Sequence, residues 1–158
     1  MIQRIQSIYL FLAAVLSAFT LWCPLARFSS NVAKGGYYLL YSLKLSAYGT
    51  EPLAGNATTP WGIAAFSAIS ALLPLITIFL YKNRKKQMAW CKLSLASIVL
   101  FYVSYAAYSY SYSQELANTQ FAVSWIAVFP IIAFVAIVLA MKGIKKDEDL
   151  IKAADRIR

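Results

Sequence analysis

The sequence predicts an all-α membrane protein in which four helices cross the bilayer as one bundle. Hydrophobic residues make up 61% of the chain and charged residues 13%, about half of the ~25% found in soluble domains. The charge that remains leaves four charge-free runs of 22, 30, 22 and 26 residues. A helix needs ~20 mostly apolar residues to cross ~30 Å of hydrocarbon, so every run is long enough. The runs are Ile5–Ala26, Pro52–Tyr81, Leu93–Gln114 and Leu116–Met141. We therefore predict a single integral membrane domain over residues 1–158.

The first helix, predicted over residues 5–26, has to be weighed against a secretory signal peptide. One positive charge, Arg4, precedes it, as in a signal peptide. Its apolar stretch is longer than the ~7–15 residues of a signal core, and the following "LARF" lacks a small-x-small cleavage pattern. We predict an uncleaved helix.

The segment 27–59 is the only long connection, and we predict a small β-hairpin in it. Residues 39–46 alternate between apolar and polar positions, which is typical of a half-exposed strand. "KGG" at 34–36 is a turn signal, so 28–33 would pair with 37–46. A lone hairpin is marginally stable and would have to rest on the helix ends or on a partner. The alternative is a disordered loop.

The other three helices are predicted over residues 60–81, 88–111 and 120–141. The short "KNRKKQ" turn between the second and third helices makes them antiparallel, and "SQELANT" is a second short connection. Pro74 and Pro130 fall inside these helices. Each removes a backbone hydrogen bond, so we predict a bend at both positions.

Basic residues predict the orientation of the chain in the membrane. Of the 15 Lys and Arg residues, twelve lie before helix 1, between helices 2 and 3, or after helix 4. Basic loops stay cytoplasmic, so both termini are predicted to face the cytoplasm, next to membrane lipids. The topology anchors are Lys82, Arg84, Lys85, Lys86, Lys145 and Lys146. This distribution explains most of the net charge of +9 without a nucleic acid partner.

The residue types needed for catalysis are scarce. The chain contains no histidine, the commonest general base and metal ligand. The predicted spans contain no Asp or Glu, which could relay protons or bind a metal. We therefore expect no metal, no cofactor and no enzymatic activity.

A row of tyrosines marks the outer half of helix 3. Tyr102, Tyr105, Tyr108 and Tyr112 fall on one face at helical spacing. One interpretation is an aromatic belt at the membrane interface with hydrogen bonds between helices. The other is a groove for a lipid or a small apolar molecule.

The tail, residues 142–158, is predicted to form an amphipathic helix separated from helix 4 by Gly143. Leu150, Ile151, Ala154 and Ile157 share one face, and charged residues cover the opposite one. This apolar face has to rest on the membrane interface, on the "KNRKKQ" turn or on another protein. Because no other segment obviously buries it, we predict that it docks a partner together with Arg4. The partner would be another protein or a second copy of this chain.

The two ends of the chain also resemble a known family. "MIQRIQSIYLFLAA" at the start and "KKDEDLIKAADRIR" at the end are similar to a bacterial family of small membrane proteins, domain of unknown function 4293. The resemblance implies a four-helix inner-membrane protein and no activity, ligand or catalytic residue. The leading hypothesis is a non-catalytic scaffold or accessory subunit that docks through its cytoplasmic N-terminus and tail. The alternative is a carrier of lipids or small apolar molecules that uses the tyrosine face.

Overall fold

The computed structural model describes residues 3–30, 36–49, 59–81, 83–116 and 119–156. These residues form a mostly helical protein with one small antiparallel sheet. The helices are α1 (Gln3–Trp22), α2 (Trp61–Phe79), α3 (Arg84–Glu115) and α4 (Phe129–Arg156). The strands are β1 (Ala26–Ser30), β2 (Tyr37–Leu40), β3 (Leu45–Tyr48) and β4 (Thr119–Val123).

All four helices are long and apolar enough to cross a membrane, so the structure confirms helices of spanning length where the charge-free runs predicted them. Between 33% and 44% of each candidate span is buried inside the protein. Much of the remainder is exposed and apolar, with Phe11, Val103 and Val135 as examples. Soluble monomers rarely expose apolar surface on this scale, so these outer faces suit contact with lipid chains.

The proximity of the helix backbones defines the order of the helices. α1 and α3 each pack against both α2 and α4, so the helices form a ring in chain order. Small residues bring α1 and α4 together, since Ala13, Ala136 and Ala140 are buried in one cluster with Leu10 and Ile137. Alanine lets two helix backbones approach closely, which makes the α1–α4 contact tight.

The sheet lies across one end of the bundle in the order β3-β2-β1-β4. The predicted hairpin is confirmed in part, because β1 pairs with β2 and places Phe28 opposite Tyr38. The predicted second strand is divided, since β2 ends at Leu40 and β3 turns back to pair with it. Phe28 and Leu40 are buried in one cluster with Phe101 of α3. The sheet thus rests on the helix ends.

The fourth helix differs from its prediction at both ends. Residues predicted as its first turns form β4, which pairs with β1, and a 3-10 turn at Trp125–Val128. Pro130 is consequently the second residue of α4, where proline needs no backbone donor, and the predicted mid-helix position for it is wrong. Pro74 does lie inside α2.

The predicted break at Gly143 is also wrong, because α4 continues through it to Arg156. The 28 residues of α4 span ~42 Å at ~1.5 Å per residue. The hydrocarbon core is ~30 Å thick, so the last turns extend beyond it. α3 is likewise longer than predicted and covers 32 residues.

Candidate functional site at the basic end of the bundle

The two ends of the bundle differ in chemistry. At the sheet end, Trp22, Trp61 and Trp125 are exposed, as in the tryptophan belts that lie at membrane interfaces. At the opposite end, which we call the basic end, lie the start of α1, the α2–α3 turn and the last turns of α4. Lysines and arginines concentrate here, including exposed Lys86, Lys145 and Lys146.

A buried carboxylate links the first and last helices at the basic end. Asp147 of α4 is only 7% exposed, and Gln6 of α1 is equally buried. The amide Nε2 of Gln6 donates a hydrogen bond of 2.7 Å to Oδ2 of Asp147. A buried charge is costly unless it is hydrogen-bonded or paired, so this contact stabilises the joining of α1 to α4.

Gly143 makes room for this contact. It lies one helical turn before Asp147 and faces the same side chain of α1. A Cβ atom at position 143 would lie 3.0 Å from Cγ and 3.3 Å from Nε2 of Gln6. The glycine that was predicted to separate the tail from helix 4 instead packs against Gln6.

Among the residues that the structure describes, two polar atoms at the basic end are buried without a hydrogen-bond partner, Oδ1 of Asp147 and Nη1 of Arg84. Arg84 is the first residue of α3 and is half-buried. Both residues line one cavity of about 430 Å³, within the range of small-molecule sites. The cavity is also lined by Gln6, Ser7, Ile8, Ile78, Phe79, Tyr81, Gln87 and Ile144.

The start of α3 adds to the positive character of the cavity. Asn83 caps this helix by accepting a hydrogen bond from the backbone N–H of Lys86. Gln87 is buried and donates from Nε2 to the carbonyl of Thr77 at 3.5 Å, which connects α3 to α2. The N-terminus of a helix attracts anions through its free N–H groups and its dipole.

The rim of the cavity is apolar. Ile8 is 63% exposed and Phe79 is 79% exposed, and both lie on candidate membrane spans. The cavity therefore combines charged groups inside with an apolar edge on the side that suits lipid chains. Such an arrangement fits an amphiphilic ligand.

The structure places the predicted tyrosines in the packing between α3 and its neighbours. Tyr102 donates a hydrogen bond of 2.6 Å to the carbonyl of Ala127, and Tyr105 donates one of 3.2 Å to the carbonyl of Leu25. Tyr112 is buried, and Tyr108 packs against the same cluster. These contacts agree with the interpretation as interhelical packing. The cavity at the basic end is lined by other residues, and the lipid groove stays a prediction.

The predicted docking face is described only in part. Leu150 is 54% exposed, whereas Ile144, one and a half turns earlier, is buried in the core. Arg4, Ile151 and Ala154 belong to helices, and their side chains lie outside the described residues. Ile157 lies outside them as well.

Among the topology anchors, Lys82 and the side chain of Lys85 also lie outside the described residues.

No pattern in the sequence predicted that Gln6, Arg84 and Asp147 belong to one site. A signal for Asp147 was present, because it continues a buried stripe on α4 through Ala133, Ala140 and Ile144 at helical spacing. Nothing in the sequence indicated its partner, since Gln6 is 141 residues away.

The fold and the site together define the class of protein. It is a bundle of four helices that are long and apolar enough to cross a membrane, with a sheet at one end and a cavity lined by charged residues at the other. The chain belongs to the family described as Domain of unknown function (DUF4293), whose model matches residues 2–157. The resemblance of the two ends of the sequence to this family is thereby confirmed over nearly the whole chain. A search of curated proteins finds no match.

Proposed function

We propose that this protein is a non-catalytic scaffold or accessory subunit of an assembly in the bacterial inner membrane. Its basic end would face the cytoplasm and dock a partner through the start of α1 and the end of α4. The observation that carries the proposal is the unbroken course of α4 to Arg156. The helix extends ~18 Å past Ile144 at ~1.5 Å per residue.

The charge distribution supports the cytoplasmic orientation. Twelve of the 15 basic residues belong to the segments that meet at the basic end. The sheet end carries the exposed tryptophans and few basic residues. Loops rich in Lys and Arg remain on the cytoplasmic side during insertion, so the extension of α4 would project into the cytoplasm.

The anchoring of the extension supports a docking role. Ile144 is buried, and Asp147 is hydrogen-bonded to α1, so the helix leaves the bundle in a defined direction. Leu150 is the next apolar residue and is 54% exposed. Full burial of a leucine contributes about 1.5–3 kcal/mol. A partner with an apolar pocket and acidic groups around it would bury Leu150 and pair with Lys145 and Lys146.

Photo-crosslinking in intact cells tests this proposal. A photoreactive amino acid at position 150 is expected to give one discrete protein adduct. The matched control is the same amino acid at position 86, an exposed site at the basic end that lies on α3, outside the proposed docking face. Leu150→Asp, which removes the apolar contact, should abolish complex formation in co-purification while the protein stays in the membrane.

The identity of the adduct decides the outcome. A cytoplasmic or membrane protein, or a second copy of this chain, captured at 150 and lost with Leu150→Asp would support docking. Adducts only with lipid or within the chain, or equal adducts from positions 86 and 150, would overturn it.

A further inference from the structure

We propose that the cavity at the basic end binds the headgroup of an aminophospholipid of the phosphatidylethanolamine class. The lipid phosphate would lie against Arg84 and the N-terminus of α3. The ammonium group would donate to the free oxygen of Asp147. This binding site is separate from the docking face around Leu150 and goes beyond the proposed function.

The unmet hydrogen-bonding groups carry the inference. Asp147 is more than nine-tenths buried, and within the described part of the chain only one of its carboxylate oxygens has a partner. In the same cavity, Nη1 of Arg84 is buried and finds no acceptor in the described residues 3–30, 36–49, 59–81, 83–116 and 119–156. Charged groups left unpaired in a protein interior are costly. A ligand with a donor at one end and an acceptor at the other would satisfy both.

Charge complementarity selects the headgroup. A phosphate matches the guanidinium of Arg84, since arginine binds phosphate oxygens through charge-assisted hydrogen bonds. A primary ammonium has three N–H donors and can reach the carboxylate oxygen of Asp147. A trimethylammonium group has no N–H donor, and a glycerol headgroup has no cation, so neither satisfies both residues.

The position of the cavity selects a lipid over a soluble molecule. The rim residues Ile8 and Phe79 are exposed and apolar and lie where acyl chains would begin. The polar interior lies beside the turn between α2 and α3, at the boundary between the candidate spans and the basic segments. An amphiphile bound here would keep its chains in the bilayer and place its headgroup in the cavity.

Surface lysines near the cavity require a control. Lys142, Lys145 and Lys146 are exposed on α4 and attract any anionic lipid by charge alone. Such attraction would favour phosphatidylglycerol, which has a net negative charge. Recognition by Asp147 and Arg84 would instead favour phosphatidylethanolamine over both phosphatidylglycerol and phosphatidylcholine.

Native mass spectrometry of the full chain, purified in mild detergent, tests the proposal. Equal amounts of phosphatidylethanolamine, phosphatidylcholine and phosphatidylglycerol with identical acyl chains are added. Wild type should retain phosphatidylethanolamine at least about tenfold better than phosphatidylcholine, the effect of one charge-assisted hydrogen bond. Equal retention of the three lipids by wild type, or a preference for phosphatidylglycerol, would by itself overturn the proposal.

Three variants assign the recognition to residues. Asp147→Asn keeps an acceptor for Gln6 and should remove the preference for phosphatidylethanolamine over phosphatidylcholine. Arg84→Gln should weaken retention of all three lipids. Lys146→Gln, a surface control, should leave the preference unchanged. Circular dichroism and size-exclusion chromatography establish that each variant is folded. A folded Asp147→Asn protein with an unchanged preference would contradict the proposed role of Asp147.

Soluble phosphoethanolamine has the same phosphate and ammonium groups without acyl chains, so it distinguishes a lipid ligand from a soluble one. Displacement of the bound lipid by phosphoethanolamine would support recognition of the headgroup. Retention of the lipid in its presence would also support a lipid ligand, with the chains contributing affinity. Binding of phosphoethanolamine without retention of the lipid would overturn the lipid as the ligand.

Discussion

Alanine at position 143 is expected to destabilise the protein, although alanine is a better helix former than glycine. Gly143 lies inside the continuous helix α4, so its replacement would ordinarily be favourable. The new Cβ would lie 3.0 Å from Cγ of Gln6, closer than carbon atoms normally approach. Gln6 would have to shift by a few tenths of an ångström, and we expect this shift to break its hydrogen bond of 2.7 Å to Asp147.

Two opposing contributions determine the size of the effect. Replacing glycine by alanine in a helix interior stabilises by about 1 kcal/mol. Losing a hydrogen bond to a charged group costs about 1.5–3 kcal/mol. The difference predicts that Gly143→Ala lowers the free energy of unfolding by about 0.5–2 kcal/mol.

A second background tests the reasoning directly. Gln6→Ala removes the side chain that the new Cβ would meet, so in this background Gly143→Ala should stabilise by up to about 1 kcal/mol. Both steps are measured as unfolding of the detergent-solubilised protein under increasing denaturant. The sign of the effect should reverse between the two backgrounds. If Gly143→Ala stabilises wild type as much as it stabilises Gln6→Ala, the proposed packing of Gln6 on Gly143 is refuted.

Two further pairs of substitutions, each a test and its control, probe the sheet end by the same unfolding assay. Phe28→Ala should lower the free energy of unfolding by about 3–5 kcal/mol because this side chain is fully buried. Phe121→Ala removes its half-exposed aromatic neighbour and should lower the free energy of unfolding clearly less. Equal losses would contradict the burial of Phe28. Tyr102→Phe should cost about 0.5–1.5 kcal/mol through loss of the hydrogen bond to the Ala127 carbonyl. Tyr110→Phe, at an exposed position, should change stability by less than about 0.5 kcal/mol, and a larger loss there than at Tyr102 would contradict that hydrogen bond.

The spans were predictable because they depend on composition along the chain. Each charge-free run contains the apolar part of one helix, whatever the helix packs against. The start of α4 was not predictable in this way. Residues 119–128 are free of charge, so composition does not distinguish a strand and a turn from the beginning of a helix. Residues 119–123 form a strand because they pair with β1, where Phe28 lies opposite Phe121. The two strands are far apart in the sequence.

The candidate site was harder to predict because its residues are charged or polar. Arg84 and Asp147 lie in densely charged segments, which are typical of solvent-exposed surface. Arg84 was assigned as a topology anchor, yet it also lines the cavity. Asp147 lies in the densely charged "KKDED" stretch, where its neighbours Lys145 and Lys146 are exposed. Only the packing of α1 against α4 separates Asp147 from them. Helical periodicity predicts which face is shared, but the partner across the interface is a property of the fold.

The central claim is that the chain crosses the membrane four times, with the basic end inside and the sheet end outside. Single cysteines at positions 48, in β3, and 150, in α4, test it in a background in which Cys23 and Cys91 are replaced by serine. Bacterial spheroplasts expressing each variant are treated with a membrane-impermeant maleimide before and after permeabilisation. The account predicts labelling at position 48 in intact spheroplasts and at position 150 only after permeabilisation. Labelling of both positions in intact spheroplasts, or the reverse pattern, would contradict it.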